Sequence, residues 1–102
     1  MNNPVIIISK LDARSISLAA QIAESGSTPD MVLMSEAVYM LKQRGDYFRE
    51  IITAIKQGAR FYAISEDITK RGIAELVEHV TLIGYGDLVD LLMESPRATI
   101  NL

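Results

Sequence analysis

Short apolar runs recur along the chain and are separated by longer stretches with a different spacing. Four runs of strand length lie at residues 5–8, 31–34, 61–64 and 80–83. Most of them lack polar alternation, which is typical of strands covered on both faces of a sheet. The tail at residues 98–102 alternates apolar and polar positions, which suits an edge strand. The sequence therefore predicts five strands.

The stretches between these runs have the spacing of amphipathic helices. Residues 48–55 carry apolar side chains at i, i+3, i+4 and i+7, and residues 88–92 repeat the spacing more briefly. A first helix is predicted around residues 11–22, and less regular helical stretches lie near 36–44 and 66–78. The order strand, helix, strand, two helices, strand, helix, strand, helix, strand predicts a three-layer α/β/α domain with a mainly parallel five-stranded sheet. The order of the strands within the sheet does not follow from the pattern.

Turn and capping residues support these helix ends. Gly26, Gly45, Gly58 and Gly72 each follow a predicted helical stretch, where a left-handed residue can close the last turn. Asp87 stands where a carboxylate can cap the start of the last helix. We therefore expect left-handed backbone at the four glycines and a capped start for the last helix.

Length and composition limit the class of protein. A chain of 102 residues is the size of one domain, so we expect a single unit over residues 1–102. The chain has no cysteine, which excludes disulfides, thiolate metal sites and thiol nucleophiles. We expect no cofactor.

The chain shows no signal for membranes or nucleic acids. Its start lacks the basic flank and cleavage pattern of a signal peptide, and no apolar stretch approaches the length of a membrane span. A cytoplasmic location and no membrane contact are therefore expected. The net charge is −3 and the basic residues are scattered, so direct binding of nucleic acid is not expected.

Three segments resemble a known family. Residues 61–73, FYAISEDITKRGI, are similar to the stretch VYAL-x-EDL-x-x-RG-L of TusB/DsrH proteins. Residues 80–91, VTLIGYGDLVDL, resemble the family's VELIDYxxFVDL, and residues 31–39, MVLMSEAVY, resemble its VLLIxDGVY. The chain therefore resembles the TusB/DsrH-like branch of the DsrE/DsrF/DsrH superfamily.

This resemblance implies a fold, partners and a function. The fold would be the five-stranded DsrE/YchN-like one, and the protein would form homo-oligomers or hetero-oligomers with DsrE/TusD- and DsrF/TusC-like subunits. The implied function is that of a non-catalytic subunit of a sulfur-relay complex resembling TusBCD/DsrEFH, which transfers sulfur toward 2-thiouridine in tRNA or serves sulfur oxidation. The alternative is a stand-alone small-molecule-binding or regulatory domain of the same fold.

The position of the family's sulfur-carrying cysteine is occupied by another residue. Sulfur-carrying relatives have a cysteine at the end of the third strand, and alignment on Lys70-Arg71-Gly72 puts Ile64 there. Ile64 cannot form a persulfide, so the chain lacks the group needed for sulfur transfer. A cysteine introduced at this position is expected to be reactive, because the nearby helix start favours thiolate.

The chain also departs from the family pattern. Ser35-Glu36-Ala37-Val38 replaces an Asp-Gly turn, residues 42–50 form a longer insert than usual, and the terminal tryptophan is missing. These departures favour the stand-alone alternative.

Two interpretations apply to the residues after the third strand. The backbone N–H groups of Ser65, Glu66 and Asp67 could receive an anion or a partner's carboxylate, with Arg71 one turn away. Alternatively, Ser65 caps the helix while Glu66 and Asp67 complement its positive end. Adjacent carboxylates on a helix point in different directions, so the pair is a poor catalytic one.

Aromatic residues and the single histidine complete the candidates. Tyr39, Tyr62 and Tyr85 could line a subunit interface, and packing explains each equally well. His79 precedes a strand without a second ligand at metal-site spacing, so we interpret it as a surface residue. No Gly-x-Ser-x-Gly elbow is present to support a serine nucleophile.

Overall fold

The computed structural model describes residues 4–93 and the backbone of residues 99–101. Five strands form one sheet: β1 (Val5–Ile8), β2 (Asp30–Leu33), β3 (Arg60–Ile64), β4 (Val80–Ile83) and β5 (Thr99–Asn101). Their order is β4-β3-β2-β1-β5, and every neighbouring pair is parallel. The predicted α/β class with a parallel sheet is confirmed. Residues 98 and 102 of the predicted tail strand lie outside the described residues.

The connections between the strands are helical, in the predicted order. They are α1 (Ala13–Glu24), a 3₁₀ helix (Ser35–Leu41), α2 (Phe48–Lys56), α3 (Ser65–Lys70) and α4 (Tyr85–Met93). None of the helices described over residues 4–93 is both long and apolar enough to cross a membrane.

The helix predicted near residues 66–78 is shorter than expected. It ends at Lys70, and Gly72 follows with a positive φ of 65°, which turns the chain out of the helix. Leu76 then bridges to Lys42, and the Val77 N–H donates to the Leu41 carbonyl at 2.9 Å. The segment 75–77 therefore runs extended along the end of the 3₁₀ helix, because its backbone groups find partners there.

The two faces of the sheet are covered differently. α1, the 3₁₀ helix, α2 and α3 contribute side chains to one buried cluster, in which Met31, Ile51 and Phe61 are at most 1% exposed. The opposite face holds a smaller buried cluster, in which Leu88 of α4 packs with Val5, Val32 and Ile64. We call these the first and the second face. Only α4 covers the second face in the described part of the chain.

Three of the four glycine predictions are confirmed. Gly26, Gly58 and Gly72 have positive φ. The prediction for Gly45 is wrong, because the left-handed residue at that turn is Arg44, with φ of 64°. Gly45 instead sits where the space is tight, since a Cβ there would lie 3.0 Å from the Lys42 carbonyl oxygen.

Candidate functional site

The carboxyl ends of β3 and β4 lie next to each other in the sheet. The chain leaves β3 into α3 on the first face and leaves β4 into α4 on the second face. In open parallel sheets, ligands bind where adjacent connections diverge in this way. Residues 65–67 and 84–85 therefore lie at the position where this kind of fold forms its sites.

Asp67 is the centre of a polar network at this end of the sheet. The residue is only 7% exposed. Its carboxylate accepts hydrogen bonds from the Ser35 backbone N–H at 2.9 Å and from the Tyr85 hydroxyl at 2.7 Å. Arg71 Nη1 lies 3.3 Å from the other carboxylate oxygen. One side chain thus joins the 3₁₀ helix, α3 and α4, which lie on both faces of the sheet.

Ser35 takes part through its backbone, in an unusual conformation. Its φ of 52° lies in the left-handed region, which costs a residue with a Cβ about 1–2 kcal/mol. The strained turn follows directly after β2 and places the N–H within reach of Asp67. The sequence alone does not reveal this contact, since only the backbone N–H of Ser35 is involved.

The network holds Asp67 in its charged form. Burial alone would raise the pKa of Asp67, but the Ser35 N–H, the Tyr85 hydroxyl and the nearby Arg71 charge together lower it below the ordinary value. The hydrogen bond to Asp67 in turn raises the pKa of the Tyr85 phenol. A carboxylate with three donors is a weak proton acceptor, so Asp67 fits a structural tie between elements better than a general base.

Side-chain contacts at the starts of α3 and α4 differ from those expected. The prediction that Ser65 caps α3 is wrong, because Ile64 takes the N-cap position and the Ser65 hydroxyl donates to Glu66 Oε1 at 3.2 Å. Glu66 Oε2 faces the Tyr85 N–H at 3.5 Å, and Asp87 accepts from the Gly84 N–H at 2.9 Å, which confirms the predicted capping role of Asp87. The carboxylates of Glu66 and Asp87 therefore lie at the N-terminal end of α4.

Ile64 is completely buried at the end of β3, with 0% exposure. It packs in the second-face cluster beside Val32 and Leu88. A cysteine introduced at residue 64 would be shielded from solvent and surrounded by apolar groups, which raise a thiol's pKa. The expectation of a reactive thiol at this position is therefore wrong for this structure.

Most of the candidate site residues come together. The Arg71 guanidinium carbon lies 5.9 Å from the centre of the Tyr39 ring, within the range of a cation–π contact. Tyr39 thereby joins the network of Asp67, Arg71 and Tyr85, and Ser65 with Glu66 borders it. Tyr62 lies on the second face, half-buried against the smaller cluster.

The structure also places the remaining candidate. His79 is exposed at the start of β4, with a positive φ of 71°. Over residues 4–93, no three histidine or acidic side chains come close enough together to hold a metal ion.

The fold and the Asp67 network define a small α/β protein with a parallel sheet and a polar network at the carboxyl ends of its strands. The family model described as DsrH like protein matches residues 9–97. The chain belongs to this DsrH-like family.

Solved structures share the fold over nearly the whole chain. A protein of unknown function from Methanobacterium thermoautotrophicum is 23% identical, with a TM-score of 0.83 and 100% of both chains covered. The ychN protein from E. coli is 19% identical, with a TM-score of 0.79 and the same coverage. A conserved protein of unknown function from Bacteroides thetaiotaomicron is 13% identical, with a TM-score of 0.78 over 98% of this chain and 95% of that one. A comparison with curated proteins finds no significant match.

Proposed function

We propose that this chain is a non-catalytic subunit of a cytoplasmic sulfur-relay complex resembling TusBCD/DsrEFH. Membership of the DsrH-like family supports a role related to sulfur relay. The chain has no cysteine, and Ile64, which the family resemblance assigns to the position of the sulfur carrier, is buried. The sulfur must therefore travel on a partner, and this chain shapes the assembly around it.

The observation that carries this proposal is an apolar stripe along α4. Tyr85, Val89 and Met93 follow at i, i+4 and i+8, so they share one side of the helix. They are 39%, 52% and 81% exposed, respectively. Contiguous exposed apolar residues of this kind mark surfaces for protein partners. We call these three residues the α4 stripe.

The partners that fit this role are DsrE/TusD- and DsrF/TusC-like subunits, or further copies of this chain. Tyr85 belongs both to the α4 stripe and to the Asp67 network, so the network fixes the orientation of one stripe residue. A preorganised aromatic residue loses little conformational freedom when a partner binds. The relay that such an assembly serves ends either in 2-thiouridine of tRNA or in sulfur oxidation.

A sulfur-loading experiment tests the proposal. The chain is co-expressed with its cysteine-bearing relatives, purified, treated with a cysteine desulfurase and its substrate, and weighed by intact-mass spectrometry. We expect the chain to co-purify with them and to gain no covalent sulfur, while the cysteine-bearing partner gains it. A reproducible gain of one sulfur atom on this chain would contradict the proposal. Failure to co-purify would favour the stand-alone binding domain.

A further inference from the structure

The segment that follows the 3₁₀ helix, residues 42–47, lines an open cavity on the outer side of Tyr39. The cavity measures about 550 Å³, within the range of about 300–1,000 Å³ that is typical of small-molecule sites. The side chains that line it include two tyrosines, two cations, a carboxylate and a leucine: Tyr39, Tyr47, Lys42, Arg44, Asp46 and Leu11.

The charged groups around this cavity are not paired with each other. Lys42, Arg44 and Asp46 are exposed, and within residues 4–93 none of their side chains forms an ion pair or a hydrogen bond. This contrasts with Asp67 and Arg71 nearby, which satisfy each other. The cavity therefore offers two cations and one carboxylate that are available to a ligand.

The backbone of the insert is held in place. The Gln43 N–H donates to the Glu75 carbonyl at 3.0 Å, and the Gly45 N–H donates to the Lys42 carbonyl at 3.0 Å. Arg44 is fixed between them with a φ of 64°, a conformation that residues with a Cβ rarely adopt. Strained residues held by their surroundings cluster at ligand sites. Arg44 is therefore presented by a preorganised loop.

We propose that this cavity binds a nucleoside monophosphate. Tyrosine rings stack on bases, and Tyr39, which is 40% exposed, lines the cavity. Lys42 and Arg44 supply the charge-assisted hydrogen bonds that a phosphate takes. Asp46 is a carboxylate of the kind that accepts hydrogen bonds from ribose hydroxyls.

The free nucleotide fits better than a nucleic-acid strand. A strand needs a basic surface that follows several phosphates, whereas this chain has a net charge of −3. Two local cations match the single phosphate of a mononucleotide. The proposal does not depend on whether the chain joins a relay complex.

Titration with uridine and adenosine monophosphates, followed by amide NMR shifts, tests this site. We expect saturable shifts confined to residue 11 and residues 39–47, which include the residues that line the cavity. Affinities should be at least about tenfold weaker for uridine and for inorganic phosphate alone, because each lacks one half of the contacts. A phosphorylated single-stranded RNA serves as a competing probe. Binding of the RNA without binding of either nucleotide would overturn the proposal, and so would equal affinity for inorganic phosphate.

Variants separate the contribution of each group. Lys42→Gln and Arg44→Gln should each weaken nucleotide binding about tenfold, which corresponds to the loss of one charge-assisted hydrogen bond. Arg44→Gly removes the cation and tolerates the positive φ, so it should weaken binding while the protein stays folded. The matched control is Lys56→Gln, an exposed charge change at the end of α2, which should leave the affinity unchanged. Equal affinities for Arg44→Gly and the control would disprove the site.

Discussion

The two faces of the sheet differ in how completely the chain covers them. On the first face, four helices bury side chains such as Ile51 and Phe61 almost completely. On the second face, only α4 covers the sheet among the described residues, and Leu91, Leu92 and Ile83 stay half-buried. A face closed by the chain's own helices supplies stability, whereas a thinly covered face leaves apolar surface for a partner.

The largest expected effect is a loss of folding stability when a core residue is truncated, and it should differ between the two faces. Ile51→Ala should lower the free energy of unfolding by about 3–4 kcal/mol, because the residue is 0% exposed and packs within the large first-face cluster. Leu88→Ala on the second face should cost only about 2 kcal/mol, because its surroundings are sparse and can relax into the space. Urea denaturation of both variants as monomers measures the difference. Equal losses would mean that the second face is packed as tightly as the first.

The next effect concerns Asp67, which connects the two faces. Asp67→Ala leaves the Ser35 N–H and the Arg71 guanidinium without their carboxylate, so the free energy of unfolding at neutral pH should fall by about 2–3 kcal/mol. Asp90→Asn, an exposed change on α4, is the control and should change stability by less than about 0.5 kcal/mol. A loss no larger than that of the control would contradict the role of the network.

The same network predicts a dependence on pH. The pKa of Asp67 is lower in the folded protein than its value of about 3.9 in an unfolded chain. The stabilisation is therefore fully present above about pH 4–5, where both states are ionised, and is lost as the pH falls toward the folded pKa. The stability difference between the wild-type protein and Asp67→Asn should shrink over that acidic range. A difference that stays constant down to pH 3 would contradict the assignment.

The smallest expected effect concerns the strained turn at Ser35. Ser35→Gly keeps the backbone N–H and removes the cost of positive φ, so it should raise the free energy of unfolding by about 0.5 kcal/mol, after the extra freedom of glycine in the unfolded chain is subtracted. Ser17→Gly, at an exposed position inside α1, should lower stability by about as much. Thermal unfolding of both variants should show higher stability for Ser35→Gly and lower stability for Ser17→Gly. A destabilised Ser35→Gly would mean that the turn is not strained.

The elements of the fold were predictable because each has a local signal. The unbroken apolar run at residues 61–64 identified a covered strand, and the spacing at residues 48–55 identified α2. The end of α3 was misjudged because residues 75–77 pair with the 3₁₀ helix, which lies more than thirty residues earlier in the chain. Strand order depends on such long-range contacts as well.

The candidate site was predictable in part for the same reason. Asp67, Arg71 and Tyr85 stood in recognisable motifs and do meet. Ser35 contributes only a backbone N–H in a left-handed conformation, which no pattern in the sequence indicates. The burial of Ile64 likewise depends on α4 packing across the second face.

Light scattering on α4-stripe variants tests the central claim most directly. The wild-type chain, alone or co-expressed with its cysteine-bearing relatives, should form a defined assembly. The double variant Val89→Ser with Met93→Ser should stay folded, since both residues are more than half exposed, and should fail to assemble. Leu11→Ser, at a residue 45% exposed outside the stripe, should assemble like the wild-type protein. A wild-type chain that stays monomeric in both preparations, or a double variant that assembles normally, would contradict the account.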